Sequence, residues 1–379
     1  MKMKKNHLLT PGPTQVPTEV LLSMSKPTIH HRTPEFMAIF KEMNENLKYV
    51  FQTQNDIFTF ASSGTGAMEA TVANLLSAGD TAICVQSGKF GERWTEICKA
   101  YSVKPVVIDV EWGYAVDPAA IKKAINENKE AKVVFTTLCE TSTGVLTDIK
   151  AIAEITKNTD VVIVTDAISA LGGVELKTDE WGIDVVVCGS QKSLMIPPGL
   201  AFCSVSKKAW KLVEASKSPR YYFDMRAAKK ALDKDDTAYT PAVTLCLGLN
   251  QALKMIKSET LEKAIARQSK LATALRIAVV ALGLKVYAKN PSDVVTSISL
   301  PETINGGTLV KTMREVYGVG IAGGQDHLKG KIIRIATMGY MNEFDVIIGV
   351  SCLEIVLKKM GYEFEAGIGV GAVEKELLK

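Results

Sequence analysis

Three stretches of the chain carry residue types that could do chemistry together: Ser62-Ser63-Gly64-Thr65-Gly66, Asp166 at the end of VVIVTD, and Gln191-Lys192 in GSQKSLMIPPG. The first leads into a helical pattern, so its backbone N–H groups and the helix dipole would face an anion that the glycines let approach closely. A nucleotide-binding P-loop would end in GK[ST], whereas here the chain continues GAMEA. A glycine-rich turn serving only the fold is the other reading of this segment. Asp166 at a strand end is costly to bury unless it meets a cation or several donors. It could cap a helix starting at AISAL, or partner a protonated ring nitrogen. Lys192 follows an apolar run and precedes the stiff turn Pro197-Pro198-Gly199. A lone loop lysine is ordinarily a solvated charge, but a desolvated amine is a nucleophile.

Taken together, these residues are what pyridoxal 5'-phosphate requires. A lysine forms the Schiff base, a carboxylate holds the pyridinium proton, and a glycine-rich turn anchors the phosphate. That combination needs all of them at one edge of one sheet, and the sequence supplies the elements. Short β-rich runs at IFTFA (57–61), TAICV (81–85), PVVIDV (105–110), KVVFTTL (132–138), VVIVTD (161–166), DVVVCG (184–189) and LAFCSV (200–205) alternate with helical patterns, the signature of a parallel sheet with crossover helices. Several runs are apolar at consecutive positions, as strands covered on both faces must be. Ligands of open α/β sheets sit outside the carboxyl ends of the strands, where all the candidate residues fall, together with CETSTG (139–144). Beyond residue 205 a long helical zone (244–282) leads to a smaller α+β region. The terminal GIGVGAVEKELLK holds a GxGxG with no strand before it and reads as a linker or loose end.

Composition narrows the function classes. Hydrophobic residues at 47% and charged residues at 23% make an ordinary globular chain, and a net charge of +4 with scattered lysines offers no nucleic-acid stripe. The seven cysteines show no CxxC and the four histidines no HxxH or HExxH, which argues against a metal centre or disulfide framework and for a cytoplasmic setting. No apolar run is long enough to span a membrane, and the basic start MKMKKNHLL is too short for a signal peptide.

The chain resembles the class V aminotransferases of pyridoxal-phosphate fold type I, within them the serine-pyruvate/alanine-glyoxylate group. The resemblance runs through LLTPGPT (8–14), HHRTPEF (30–36), SSGTGAMEA (62–70), ETSTGVL (140–146), VTDAISALGG (164–173), GSQKSLMIPPG (189–199), YTPAV (239–243) and KIIRIATMGY (331–340). It implies a seven-stranded, mostly parallel sheet in a large domain (21–265), after an N-terminal segment (1–20) and before a small C-terminal domain (266–379). It implies a Schiff base on Lys192, Asp166 at the pyridine nitrogen, Thr141 at the phenolic oxygen, Ile168 and Phe90 on the two ring faces, and Gly64, Thr65, Gly66 and Gln191 at the phosphate. Thr240 would reach the phosphate from the other subunit of a homodimer. Arg334, with Gly12 and Thr141, would bind the substrate, the arginine clamping its carboxylate. Relatives often read RIGHMG where this chain has RIATMG, which puts Ala336 and Thr337 beside the substrate arginine as departures.

The implied reaction is a ping-pong transamination through a Lys192 aldimine, from alanine or serine to glyoxylate or pyruvate. Alternatives are 2-aminoethylphosphonate or phosphoserine transamination, for which Arg32 is a candidate extra cation, and a non-catalytic subunit of the same fold. A cysteine desulfurase would need a histidine at the Phe90 position and a mobile loop cysteine. The ending ELLK lacks the peroxisomal tripeptide pattern.

Overall fold

Seven runs of consecutive apolar residues become one sheet in the computed structural model, which describes residues 5–379. In chain order they are β1 (Asp56–Phe60), β2 (Thr81–Gln86), β3 (Lys104–Asp109), β4 (Ala131–Thr137), β5 (Val162–Asp166), β6 (Val185–Gly189) and β7 (Ala201–Val205). Their spatial order is β3-β2-β4-β5-β6-β7-β1, and β7 alone runs antiparallel to its neighbours. The unbroken apolar runs follow from burial on both faces. Val134, Ile163, Val186 and Phe202 enter one core cluster, while Val133, Val162, Val185 and Cys203 enter the other. A polar residue on either face would sit against a helix layer, so the pattern does not alternate.

Helices cover both faces. α1 (Pro34–Phe51) starts with Thr33 accepting from Phe36 N and with Pro34 at its first position, a good entry because proline lacks the N–H that a first turn leaves unpaired. α2 (Gly64–Leu75) follows β1, and α3 (Lys89–Ala100) follows β2. The helical zone expected over 244–282 is two helices, α4 (Val243–Glu259) and α5 (Leu261–Ala281), broken at Thr260, whose φ of 73° lies in the left-handed region. Its hydroxyl then accepts from Lys263 N and starts α5. The expected domain division at 265/266 falls inside α5.

The C-terminal lobe is a four-stranded sheet of β8 (Lys285–Val286), β9 (Val295–Ser299), β10 (Ala322–Gly323) and β11 (Ile332–Ala336), in the order β8-β9-β11-β10. Behind it lie α6 (Glu343–Lys359) and α7 (Ile368–Leu377). The last of these corrects the expectation of a loose glycine-rich tail. Buried Glu354 of α6 accepts from Gly367 N at 2.8 Å, Gly369 N at 2.7 Å and Val370 N at 3.1 Å, so a carboxylate caps the first turn of α7. Gly367 takes a φ of +86°, and a Cβ on Gly369 would fall 2.8 Å from Glu354 Oε1. The glycines serve a helix start.

The N-terminal segment ties the lobes together. His7–Leu8 pairs in parallel with Val319–Gly320, and Ala336 N donates to Leu9 O. The strap then crosses to the large sheet, where Thr14 N donates to Gln191 O at 3.1 Å and Thr14 Oγ1 to Lys192 O at 2.8 Å.

Candidate active site

Parallel strands bring their carboxyl ends to one edge, and the chemistry-bearing residues collect there. A cleft is lined by Gly64 and Thr65 after β1, Phe90 and Arg93 on α3, Thr141 after β4, Asp166 ending β5 with Ile168 and Ser169, and Gln191 and Lys192 after β6. Eight residues expected from the sequence thus share one space.

The Lys192 loop is held from both ends. Ser190 N donates to Leu200 O at 3.0 Å, and the Ser190 hydroxyl donates to Pro197 O at 2.8 Å, closing the Pro-Pro-Gly turn back onto its start. The Lys192 amine donates to Pro11 O of the N-terminal strap. Burial drives its pKa down to about 8, against the opposing pull of Asp166 and Cys139. Gly12 makes this approach possible. It has a φ of +125°, and a Cβ there would collide with Nζ and Cε of Lys192.

Asp166 is 4% exposed. Burial pushes its pKa up to about 7, opposed by the Ile168 N–H, while the nearby Glu140 charge adds to the rise. Its Oδ1 accepts from Ile168 N at 2.8 Å, but the chain turns there and no helix starts at AISAL, so the capping alternative is replaced by a local turn. Ile168 is packed on the start of α2, since a Cβ on Gly64 would sit 2.5 Å from its Cδ1.

The start of α2 is open to a ligand. Its N-cap Ser63 makes no side-chain cap, and Gln191 Oε1 is buried without a partner among the described residues. Gly66 is not in the cleft wall. Its N–H donates to Ser63 O at 2.8 Å, and a Cβ would lie 2.5 Å from Ser62 Oγ, so it serves close packing of the turn. Pyridoxal phosphate fits what the cleft leaves unmatched: unpaired N–H groups for an anion, a buried carboxylate suited to a ring N–H, and an amine poised between charged and neutral.

Arg334 of β11 stands beside Thr141. Its Nη1 donates to Thr141 O at 2.7 Å and its Nε to Gly323 O at 2.9 Å, and burial lowers its pKa to about 10. Ala336 and Thr337, next to Arg334 along the chain, are not in the lining of this cleft. Ala336 packs in the large core, and the Thr337 hydroxyl is fully buried and donates to Asp293 O at 2.8 Å. Thr240 is also apart from the cleft in its own chain, at a pocket beside β1 formed with Phe60 and Tyr222. Arg32 is paired with Asp236 and Thr237 O near that loop. Cys352 is buried within α6, where burial pushes its thiol up to about 11.

Three site residues escaped the sequence reading. Fully buried Glu140 accepts from Phe90 N at 3.1 Å, Gly91 N at 2.9 Å and Ser142 N at 3.1 Å, so a carboxylate fixes the start of α3 and with it Phe90. Burial pushes its pKa upward, opposed by those same donors. Ser169 Oγ lies 2.5 Å from Thr141 Oγ1. Arg93 reaches Thr65. For Glu140 the available signal was an acid directly before Thr141 in an otherwise uncharged strand end, and for Arg93 its helical spacing of three from Phe90.

The aminotransferase class-V family profile matches residues 7–367. A protein from Synechococcus sp. (strain PCC 6716) named as a soluble hydrogenase small subunit is 42% identical, over 98% of each chain. The serine–glyoxylate aminotransferase of Methylorubrum extorquens is 34% identical, over 98% of this chain and 96% of that one. Among solved structures, ureidoglycine-glyoxylate aminotransferase from Bacillus subtilis superposes with a TM-score of 0.96 at 30% identity, over 100% of both chains. The chain belongs to the class-V aminotransferases, a family of pyridoxal-phosphate-dependent fold, and its reaction class is transamination.

Proposed function

We propose that this class-V aminotransferase moves the amino group of a small amino acid, serine or alanine, to glyoxylate or pyruvate in ping-pong order, with Lys192 as the mobile base. The observation that carries the reading is the pairing of Lys192, its pKa drawn down to about 8, with Asp166, pushed up to about 7, in one cleft beside an uncapped helix start. Glyoxylate stands in the names of both the serine–glyoxylate and the ureidoglycine-glyoxylate relatives, whose donors differ. The acceptor is therefore better supported than the donor.

Lys192, Asp166, Thr141, Gln191, Ile168, Phe90 and the first turn of α2 would hold the cofactor. When bound, pyridoxal phosphate supplies an electron sink that acidifies the Cα–H bond of an attached amino acid. Asp166 would keep a proton on the ring nitrogen, since a buried carboxylate gains most from a cationic partner. Arg334, already in a buried donor network, would take the substrate α-carboxylate through its fork of N–H groups. The freed Lys192 amine would remove the proton at Cα and return it, acting as base and then acid near its own pKa. Thr141, held by Ser169, would present a hydroxyl of fixed direction.

A homodimer belongs to the proposal, with Thr240 completing the partner's phosphate site. Its exposure, away from its own chain's cleft, supports that arrangement. All seven cysteines are free and buried, which suits a cytoplasmic protein. The paired Arg32 and, among the described residues, the absence of a cation in the cleft wall besides Arg93 and Lys192 count against a phosphonate or phosphoserine donor.

The test is a panel of amino donors against keto acceptors, with the bound cofactor's visible absorbance followed for each half-reaction. Serine or alanine should change the spectrum, and glyoxylate or pyruvate should restore it. Lys192→Ala should lose turnover and the covalent cofactor band. Transamination at the native rate by that variant would overturn the assignment.

A further inference from the structure

The geometry points to Arg93 as a ligand of the cofactor's phosphate, a role that rests on the functional reading above. The arginine lies one turn beyond Phe90 on α3, whose first turn is anchored by the buried carboxylate of Glu140. Residues three apart share a helix face, so the anchor that sets the Phe90 ring also sets Arg93. Its guanidinium lies over that ring, 5.0 Å from the centroid, and its Nη1 donates to Thr65 Oγ1 at 3.1 Å.

No carboxylate lies within ion-pair distance of Arg93 among the described residues, although it is a partly buried cation in the wall of the cleft. A guanidinium has five donors in a planar fork. Here one is matched by the Thr65 hydroxyl, and the rest have no acceptor among the described residues. The Thr65 hydroxyl accepts from Arg93 and so keeps its own hydrogen to donate. Arg93, Thr65 and the uncapped N–H groups of α2 thus converge as donors on one volume. A dianionic phosphate is the ligand with enough acceptor oxygens to satisfy them, and bidentate arginine contacts are among the strongest it can receive. The competing role is mechanical, with Arg93 holding the Phe90 ring flat.

Titrating cofactor-free protein with pyridoxal phosphate and with pyridoxal, which lacks the phosphate, separates the two. Arg93→Gln should weaken pyridoxal phosphate binding by about tenfold or more, as loss of a charge-assisted bond implies, and leave pyridoxal affinity unchanged. Inorganic phosphate should compete with the cofactor less well in the variant than in the native protein. Equal loss of both ligands would assign Arg93 to ring placement. Unchanged cofactor affinity with a raised KM for the amino donor would assign it to substrate. Either outcome overturns the proposal. Arg93→Lys, which keeps the cation but not the fork, decides by the same comparison if the glutamine variant does not fold. Native protein that binds no pyridoxal phosphate would instead sink the functional reading itself.

Discussion

Asp166 is a carboxyl group whose surroundings disfavour the charge its proposed role needs. Burial lifts its pKa from 3.8 to about 7 in the cofactor-free chain. Between those values the folded protein holds a proton that the unfolded chain has lost, so stability falls as pH rises from about 4 to 7 and stays reduced above. In the cofactor-free protein, Asp166→Asn should therefore raise the melting temperature at pH 8, by a gain on the order of a few kcal/mol, and the gain should vanish near pH 4. The same change should weaken cofactor binding. A variant equally stable to the native protein at both pH values would mean the carboxylate is solvated in the empty cleft. Such opposition between stability and function is common where a site is built before its ligand arrives. Lys192, Asp166 and Thr141 were legible because each stands at a strand end in a stretch with few other candidates. Glu140 and Ser169 were not, because they act by fixing a neighbour, and nothing in their spacing shows which neighbour that is.

At the scale of elements, the strands were readable and the helix ends less so. Consecutive valines and isoleucines admit few other conformations once turns flank them, so all seven expected runs overlap observed strands within a residue or two. The tail was misread because glycine suppresses helix propensity, and the compensating carboxylate, Glu354, is 13 residues earlier than Gly367. That distance in sequence hides a cap which tertiary contact supplies. Glu354→Ala leaves three backbone donors of α7 without their acceptor and should destabilise the chain by about 1–3 kcal/mol in urea unfolding. Hydrogen exchange should rise first in 368–377, while β1 to β7 keep their protection. Uniformly faster exchange would show that α7 is not separately held. The break at Thr260 was equally hidden, since threonine inside an apolar periodicity gives no warning of a left-handed φ.

The whole molecule joins its lobes at the site. The N-terminal strap touches β11 through Leu9 and Lys192 through Pro11 and Thr14, and Lys89 beside Phe90 pairs at 3.2 Å with Asp326 of the C-terminal lobe. Motif order along the chain made this convergence expected, but the engagement of the Thr337 hydroxyl by Asp293 O depended on side-chain direction, which a motif does not carry. If Thr240 completes the partner's site, Lys192→Ala and Thr240→Glu chains, each inactive alone, should recover about a quarter of native activity when subunits are exchanged. Half of the dimers would then be mixed, each with one intact site. Activity no higher than the separate variants would place Thr240 outside the partner's site. The position of β1 has a consequence during synthesis. It lies at the sheet edge and its only strand partner among the described residues is β7, which leaves the ribosome roughly 140 residues later, on the order of ten seconds at ordinary elongation rates. Throughout that interval Ile57, Phe58 and Phe60 have no sheet to join, and the turn at Ser62–Gly66 has no fixed place. A nascent chain therefore offers a sticky hydrophobic segment before it offers any seat for a vitamin, and cofactor loading must wait until the last strand of the large sheet has been made.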